Sequence, residues 1–315
     1  MVWQLRYLRR AVACFRTGYR TAEGRTRVQC IALAIHIVLS YRLTIARKRM
    51  PKPSNLDEYR EWAKIILDVD FGPRIKNLYE SNLQRARDQI QRHPFMQELP
   101  ELLREVSANY RANTDSQLLM DATTVVADGP NWVLKPYKSA VDKSFRFNVL
   151  WNSNYPNPKN ADQGWITPDN WLERFNDTIR TTLVCKYIDG PEVLAKALIE
   201  KATNSGLDKR YYSQQKEIGY YAFHCYIAFD TELLDQNWEV QPVRIEIEFQ
   251  ITTQLQEVLR KLTHKHYASE RIVARDEGEA WQWKFQTNRF KARYLSHTLH
   301  MLEAMVVDVR DSDGE

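Results

Sequence analysis

The stretch VRIEIEFQIT, residues 243–252, constrains the fold more than any other part of the chain. Apolar and polar residues alternate strictly along it. In a strand, successive side chains point to opposite faces. Ile245, Ile247, Phe249 and Ile251 then share one face, and Glu246, Glu248 and Gln250 share the other. A helix would scatter both sets around its axis. The segment therefore reads as a strand with its apolar face on a core and its acidic face toward a cleft or solvent. A solvated polar face is the commoner outcome for such a strand, so the carboxylates gain meaning only from what else the fold brings to them.

The surrounding patterns fill in a sheet and its helices. YYAFHCYIAF (220–229) and EVQPVRIEIEFQIT (239–252) read as adjacent strands, and RTTLVCKYI (180–188), rich in β-branched residues, as a third. NWVLK and TTVVAD read as short strands or loop. Helical periodicity marks LDEYREWAKIILDVDF, then GPRIKNLYESNLQRARDQIQRH with Pro73 in its first turn and Pro94 beyond its end, then LPELLREVSANYRAN. YKSAVDKSFRFNVLWN (137–152) also reads as a helix. ITPDNWLERFNDT predicts a helix capped by Thr167 with Pro168 at its first position. GPEVLAKALIEKATNSG predicts one ending at a glycine, and TQLQEVLRKLTHKHYASER and FKARYLSHTLHMLEAMVV (290–307) predict two more. Strands alternating with helices give an α+β (mixed α/β) class: a mixed β-sheet flanked by helices, with a helical N-terminal segment. The expected divisions are a basic extension over 1–50, a helical segment over 51–118, a sheet-bearing domain over 119–275 and a C-terminal helical extension over 276–315.

Residues 1–50 are basic and hold one apolar run, CIALAIHIVLSY (30–41), too short for an ordinary membrane span. The run lies late for a signal peptide. A buried helix, a disordered extension and a natural start at Met50 remain open readings, and a membrane anchor is disfavoured. Cys14, Cys30, Cys185 and Cys225 lie far apart, with neither metal-ligand spacing nor a disulfide framework, which suits a reducing cytoplasmic compartment.

The formal net charge of +5 is too small to prove a nucleic-acid partner. Its distribution says more. LDKRYYSQQK (207–216) mixes Lys209, Arg210 and Lys216 with two tyrosines, the combination that single-strand binders use. Lys135, Lys138, Lys143 and Arg146 gather around one predicted helix start, where they could neutralise phosphate oxygens. Asp177 precedes a strand, and a carboxylate there beside Glu248 could hold Mg²⁺ against substrate phosphates. A solvated surface is the more frequent explanation of each basic set by itself. No Walker A sequence, G-x-G-x-x-G, nucleophile elbow or zinc motif is present.

The order KPYKSAVDKSFR, NDTIRTTLVCKYID, GYYAFH, IEFQITT, LTHKHY, over roughly 130–271, resembles the synthetase domain of the RelA/SpoT family. The resemblance implies a nucleotidyltransferase-like synthetase fold that transfers pyrophosphate from ATP to a ribose 3′-hydroxyl with Mg²⁺. It implies ATP-phosphate contacts from Lys135, Ser139 and Lys143, with Arg146 beside them, and a metal-binding role for Asp177. Gly219 and Tyr220 would hold the acceptor base, with His224 and Lys216 on the acceptor side. Glu248, with Gln250, would bind metal or activate the attacking hydroxyl.

Three departures refine the resemblance. Val133 stands where alarmone synthetases carry an arginine, Ile218 where they often carry an asparagine, and Arg180 sits in DTIRTT instead of the usual Asp-x-x-Gly-x-Arg. With GYYAFH, these features are similar to the toxic small alarmone synthetases, some of which pyrophosphorylate the 3′-CCA end of tRNA and stop translation. That implies tRNA as acceptor, contacts from Lys209 and Arg210, and an antitoxin partner. A synthetase using GDP, GTP or an adenine nucleotide is the alternative, and a degenerate nucleotide- or RNA-binding regulator is the third.

Overall fold

The structure, a computed structural model, describes residues 51–120, 130–216, 220–270 and 281–312. The expectations for 1–50 and TTVVAD fall outside these residues. The chain divides into two compact units. One comprises Phe145–Trp165 and the chain up to Phe71; the other comprises Gly72–Ser144 and Ile166–Glu315.

In the first unit, α1 (Leu56–Ile66) starts at Asn55, whose side chain accepts from the amides of Asp57 and Glu58. Tyr59 and Trp62 are fully buried from this helix. Asn148 donates to the Tyr59 hydroxyl at 3.0 Å, and Trp62 meets Trp165 edge-on at 5.1 Å. Asn148 belongs to a π-helical turn, Arg146–Leu150.

The second unit carries the sheet. Helices α2 (Pro73–Gln91) and α3 (Pro94–Thr114) each open on a proline, whose missing N–H costs nothing there. Next come β1 (Val133–Leu134), α4 (Tyr137–Phe145), α5 (Trp171–Arg174) and β2 (Ile179–Cys185). They are followed by α6 (Gly190–Asn204), β3 (Lys209–Lys216), β4 (Tyr220–Leu234), β5 (Val240–Thr253), α7 (Gln254–Glu270) and α8 (Asn288–Ser312). α6 stops just before Gly206, whose φ of 69° is open to glycine without strain. A side chain at Gly190 would meet Cys185 Cβ and Leu118 Cδ1 at 2.9 Å, so the close approach of α6 to β2 requires glycine.

The sheet order is β1-β2-β5-β4-β3. β2 pairs with β5 in parallel, and all other pairs are antiparallel. This is the mixed α+β sheet flanked by helices that the sequence predicts. Ile245, Ile247, Phe249 and Ile251 are all fully buried, as their alternation requires. Two expectations need correction. The helix anticipated from Thr167 begins at Trp171, because the Asn170 side chain accepts from the Thr167 amide and holds a turn there. The basic run at 209–216, read only as a binding surface, is the edge strand β3.

Candidate functional site

Strand register decides which polar residues meet. Arg180, Glu248, Tyr226 and Arg210 are successive cross-strand partners from β2 to β3, and Thr182, Gln250, His224 and Tyr212 form the next row. Cross-strand partners share a face, so eight residues from four strands form one polar patch. Its centre is buried: Glu248, Gln250 and His224 have almost no exposure. The acidic face of β5 is thus buried at Glu248 and Gln250 and partly exposed at Glu246.

Glu248 is held by three groups. Its Oε1 accepts from the Tyr226 hydroxyl at 2.8 Å and lies 2.6 Å from His224 Nδ1, and its Oε2 accepts from Gln250 Nε2 at 3.0 Å. Burial pushes this carboxyl up, but the bonds from His224 and Tyr226 outweigh it and hold the group below the ordinary glutamate range. Tyr226 is itself braced. Its hydroxyl lies 3.1 Å from that of Tyr212, and the Arg210 guanidinium sits 4.0 Å from its ring centre. Burial raises the Tyr226 phenol well above its usual value, so it stays a donor.

The second cluster forms where β1, α4 and the approach to β2 converge. Lys135 Nζ donates to Asp177 Oδ2 at 2.6 Å, and Lys143 Nζ donates to Oδ1 at 2.7 Å. Lys135 is fixed by backbone as well: its amide donates to the Thr178 carbonyl, and its own carbonyl accepts from Tyr79. The Lys143 ammonium also lies 4.8 Å from the Phe175 ring centre. Burial pushes Asp177 up, yet the two ammoniums bring it down to about 2. Burial lowers Lys135, and Asp177 opposes that shift. The two clusters feel each other, because the Asp177 charge opposes ionisation of Glu248.

The sequence-derived candidates therefore separate into groups. Lys135, Lys143 and Asp177 come together, as do His224, Glu248 and Gln250. Ser139 lies exposed in the first turn of α4, and Lys138 is exposed beside it. Arg146 belongs to the other unit, where its guanidinium lies 5.0 Å from the Trp151 ring centre. The helical geometry changes from α to π at Arg146. Lys216 and Tyr220 form the last backbone pair of the β3–β4 hairpin, and Gly219 lies outside the described residues. Lys209 and Arg210 are consecutive on a strand and so point to opposite faces. Arg210 makes a two-nitrogen bond to Glu246, at 3.1 and 2.7 Å. Sequence reasoning overlooked Tyr226, and read Tyr212 only as part of the basic run. The signal was present, since Tyr226 follows His224 by two on a strand and must share its face.

The donors suit magnesium in one respect. Asp177 and Glu248 supply ionised hard oxygens in one electrostatic neighbourhood, and Mg²⁺ commonly takes one or two carboxylates, with phosphates and water completing its shell. Among the described residues no group of three His, Cys, Asp or Glu side chains forms a closed metal cage. No described helix is long and apolar enough to cross a membrane.

A Tyr226→Phe variant tests the hold on Glu248. A hydrogen bond to a charged group is worth roughly 1.5–3 kcal/mol, which corresponds to about one pH unit or more. Tyr226 lowers the Glu248 carboxyl, so its loss raises that carboxyl. The acid limb of the activity–pH profile should move to higher pH by about one unit, and the melting temperature at neutral pH should fall by a few degrees. An unmoved acid limb would show that Tyr226 does not tune Glu248.

No protein family and no curated protein matches the chain. Among solved structures, small alarmone synthetase 1 from Bacillus subtilis is similar at 15% identity, over 75% of this chain and 97% of that one, with a TM-score of 0.45. The same enzyme bound to its product pppGpp gives 13%, 73%, 99% and 0.43. A GTP pyrophosphokinase family protein from Streptococcus pneumoniae gives 15%, 72%, 94% and 0.42. At these low identities, the structures similar to this chain are small alarmone synthetases and a GTP pyrophosphokinase family protein.

Proposed function

We propose that this protein is a pyrophosphokinase that transfers the β,γ-pyrophosphate of ATP to the ribose 3′-hydroxyl of the tRNA 3′ end, and so inhibits translation as a toxin held in check by an antitoxin. The observation that carries the reading is the pairing of Lys135 and Lys143 on Asp177 beside a separately braced Glu248. Two preorganised ammoniums meet the charge of a triphosphate, and a carboxylate kept ionised faces the incoming hydroxyl. The ribose oxygen attacks the β-phosphorus, the bond from that phosphorus to the α–β bridging oxygen breaks, and AMP leaves. Glu248 accepts or orients the hydroxyl proton; His224, Tyr226 and Gln250 fix its position. Asp177 and Glu248 would hold Mg²⁺, which supplies charge neutralisation at the phosphates when bound. Ser139, at the start of α4, adds a polar contact for the same phosphates.

One observation favours a second reading, a mononucleotide acceptor such as GDP, GTP or AMP. Arg210 is engaged by Glu246 and Lys209 points to the other face, so the basic surface offered to a tRNA backbone is smaller than the sequence implies. The deciding experiment incubates the protein and Mg²⁺ with γ-labelled ATP and separate pools of tRNA, GDP, GTP and AMP. Label in tRNA, with activity falling steeply as salt rises, supports the first reading. Label confined to a nucleotide replaces it with the second, and no label in any pool removes both. Arg210→Ala sharpens the choice. Loss of one phosphate contact should cut tRNA labelling several-fold and flatten its salt dependence by about one unit of slope, whereas a mononucleotide synthetase should lose only what the missing brace on Tyr226 costs and keep its salt dependence.

A further inference from the structure

Arg180 stands between the two polar clusters and is bonded to neither. It pairs with Val133 of β1 on one side and with Glu248 of β5 on the other. Alternation along β2 buries Ile179, Thr181 and Leu183, and leaves Arg180 half-exposed on the face that carries Glu248. Neighbouring strands lie only about 4.8 Å apart, yet the Glu248 oxygens are engaged by Tyr226, His224 and Gln250 instead. The Val133 side chain offers no acceptor. Among the described residues the Arg180 guanidinium makes no hydrogen bond and no ion pair. The other guanidinium of the row, that of Arg210, is taken by Glu246.

The charge of Arg180 is nevertheless felt. Burial lowers Lys135, and the positive charges of Lys143 and Arg180 press in the same direction. The two ammoniums on one carboxylate leave a single surplus positive charge, short of what a triphosphate carries. Arg180 adds a second, and a cleft lined by one sign of charge draws in an anion. An arginine fork matches two oxygens of one phosphate group, which a lysine cannot do.

Position in the sheet identifies the phosphate. The Lys135 amide is tied to Thr178, two residues before Arg180 on β2, and Glu248 is level with Arg180 on β5. The donor phosphates belong at the lysines and the acceptor hydroxyl at Glu248, so the group that passes between them crosses Arg180.

We propose that Arg180 grips the β-phosphate of the donor during transfer, donating from two guanidinium nitrogens to its non-bridging oxygens. This rests on the pyrophosphokinase reading above and adds a catalytic residue to it. The ribose oxygen bonds the β-phosphorus, and the bridging oxygen departs with its electron pair on AMP. Negative charge on the non-bridging oxygens is then held by the guanidinium. The hydroxyl proton goes toward Glu248, and Arg180 keeps its own.

Arg180→Gln and Arg180→Lys in the full chain test this, by transfer kinetics and by calorimetric titration with magnesium tripolyphosphate. Arg180→Gln should lower kcat by roughly a hundredfold, the size of one lost transition-state donor. It should raise KM for ATP only several-fold, weaken tripolyphosphate to the same degree and leave KM for the acceptor unchanged. Its melting temperature should hold, because no partner loses a bond. Arg180→Lys keeps the charge without the fork and should recover part of kcat; full recovery, or none, overturns the two-nitrogen grip. A kcat close to the parent's in Arg180→Gln removes Arg180 from the chemistry while the pyrophosphokinase reading stands. An effect confined to KM for the acceptor moves the contact to an acceptor phosphate and overturns the assignment to the donor. A melting temperature lower by several degrees marks a structural cation and also overturns it. If the parent transfers nothing, the pyrophosphokinase reading falls. Weaker tripolyphosphate binding in Arg180→Gln would then still support a phosphate grip at Arg180, and equal binding would overturn it.

Discussion

Glu248→Gln is expected to lower pyrophosphate transfer by roughly three orders of magnitude, within the range that acid–base and electrostatic groups contribute, while leaving the fold intact. The amide matches the carboxylate in size. Its oxygen can still accept from Tyr226 and His224, and Gln250 can turn its own amide end for end to accept from the new NH₂. The buried hydrogen bonds are therefore kept, and the negative charge alone is lost. Single-turnover transfer from labelled ATP measures the loss, and thermal unfolding checks the fold. Turnover within tenfold of the parent would remove Glu248 from the chemistry.

Asp177→Asn should damage both activity and stability, which makes it the stronger probe of the two lysines. A carboxylate lowered from 3.8 to about 2 contributes about 2 kcal/mol of stability above its ordinary range. The folded carboxyl lies below its unfolded value, so that contribution is complete above about pH 4 and is lost as the pH falls toward 2. Replacement by asparagine goes further, because it leaves the Lys135 and Lys143 ammoniums facing each other with little exposure. Breaking a buried pair costs about 3–5 kcal/mol, and Asp177, 24% exposed at its side chain, belongs at the lower end. For a unit of this size the melting temperature should fall by roughly 6–12 °C. Asp177→Asn/Lys135→Met should recover much of the stability and none of the transfer. If the single variant kept its melting temperature, the cluster would be an ordinary surface pair.

The strand period made the β5 core legible, because four apolar residues at alternate positions allow only one face inward. Period two could not say whether the other face was wet. That depends on β4, whose His224 and Tyr226 flank and bond Glu248, and on a register that local sequence does not encode. β3 escaped notice because its charges and tyrosines looked like a binding surface, when alternation sends Lys209 and Arg210 to opposite sides. The lysines near α4 were legible as a basic set, but their convergence on Asp177 depends on how distant segments pack. α8 was legible as a helix, but that it buries Ser296 and Glu303 and exposes Leu302 was not, since periodicity finds an apolar stripe without saying what it meets. The change from α to π geometry at Arg146 left no local signal either.

The order in which the sheet is completed has a consequence for synthesis. β5 lies between β2 and β4 and is the last of the five strands to leave the ribosome. Until it inserts, β2 and β4 each present an unpaired edge, the kind of surface that recruits other chains. A chain interrupted before Thr253 would therefore surface as aggregate rather than as a soluble fragment. By the same order, the nascent protein acquires Lys135, Lys143 and Asp177 well before Glu248. It can gather two ammoniums on one carboxylate while still lacking the buried glutamate that completes the polar face of the sheet.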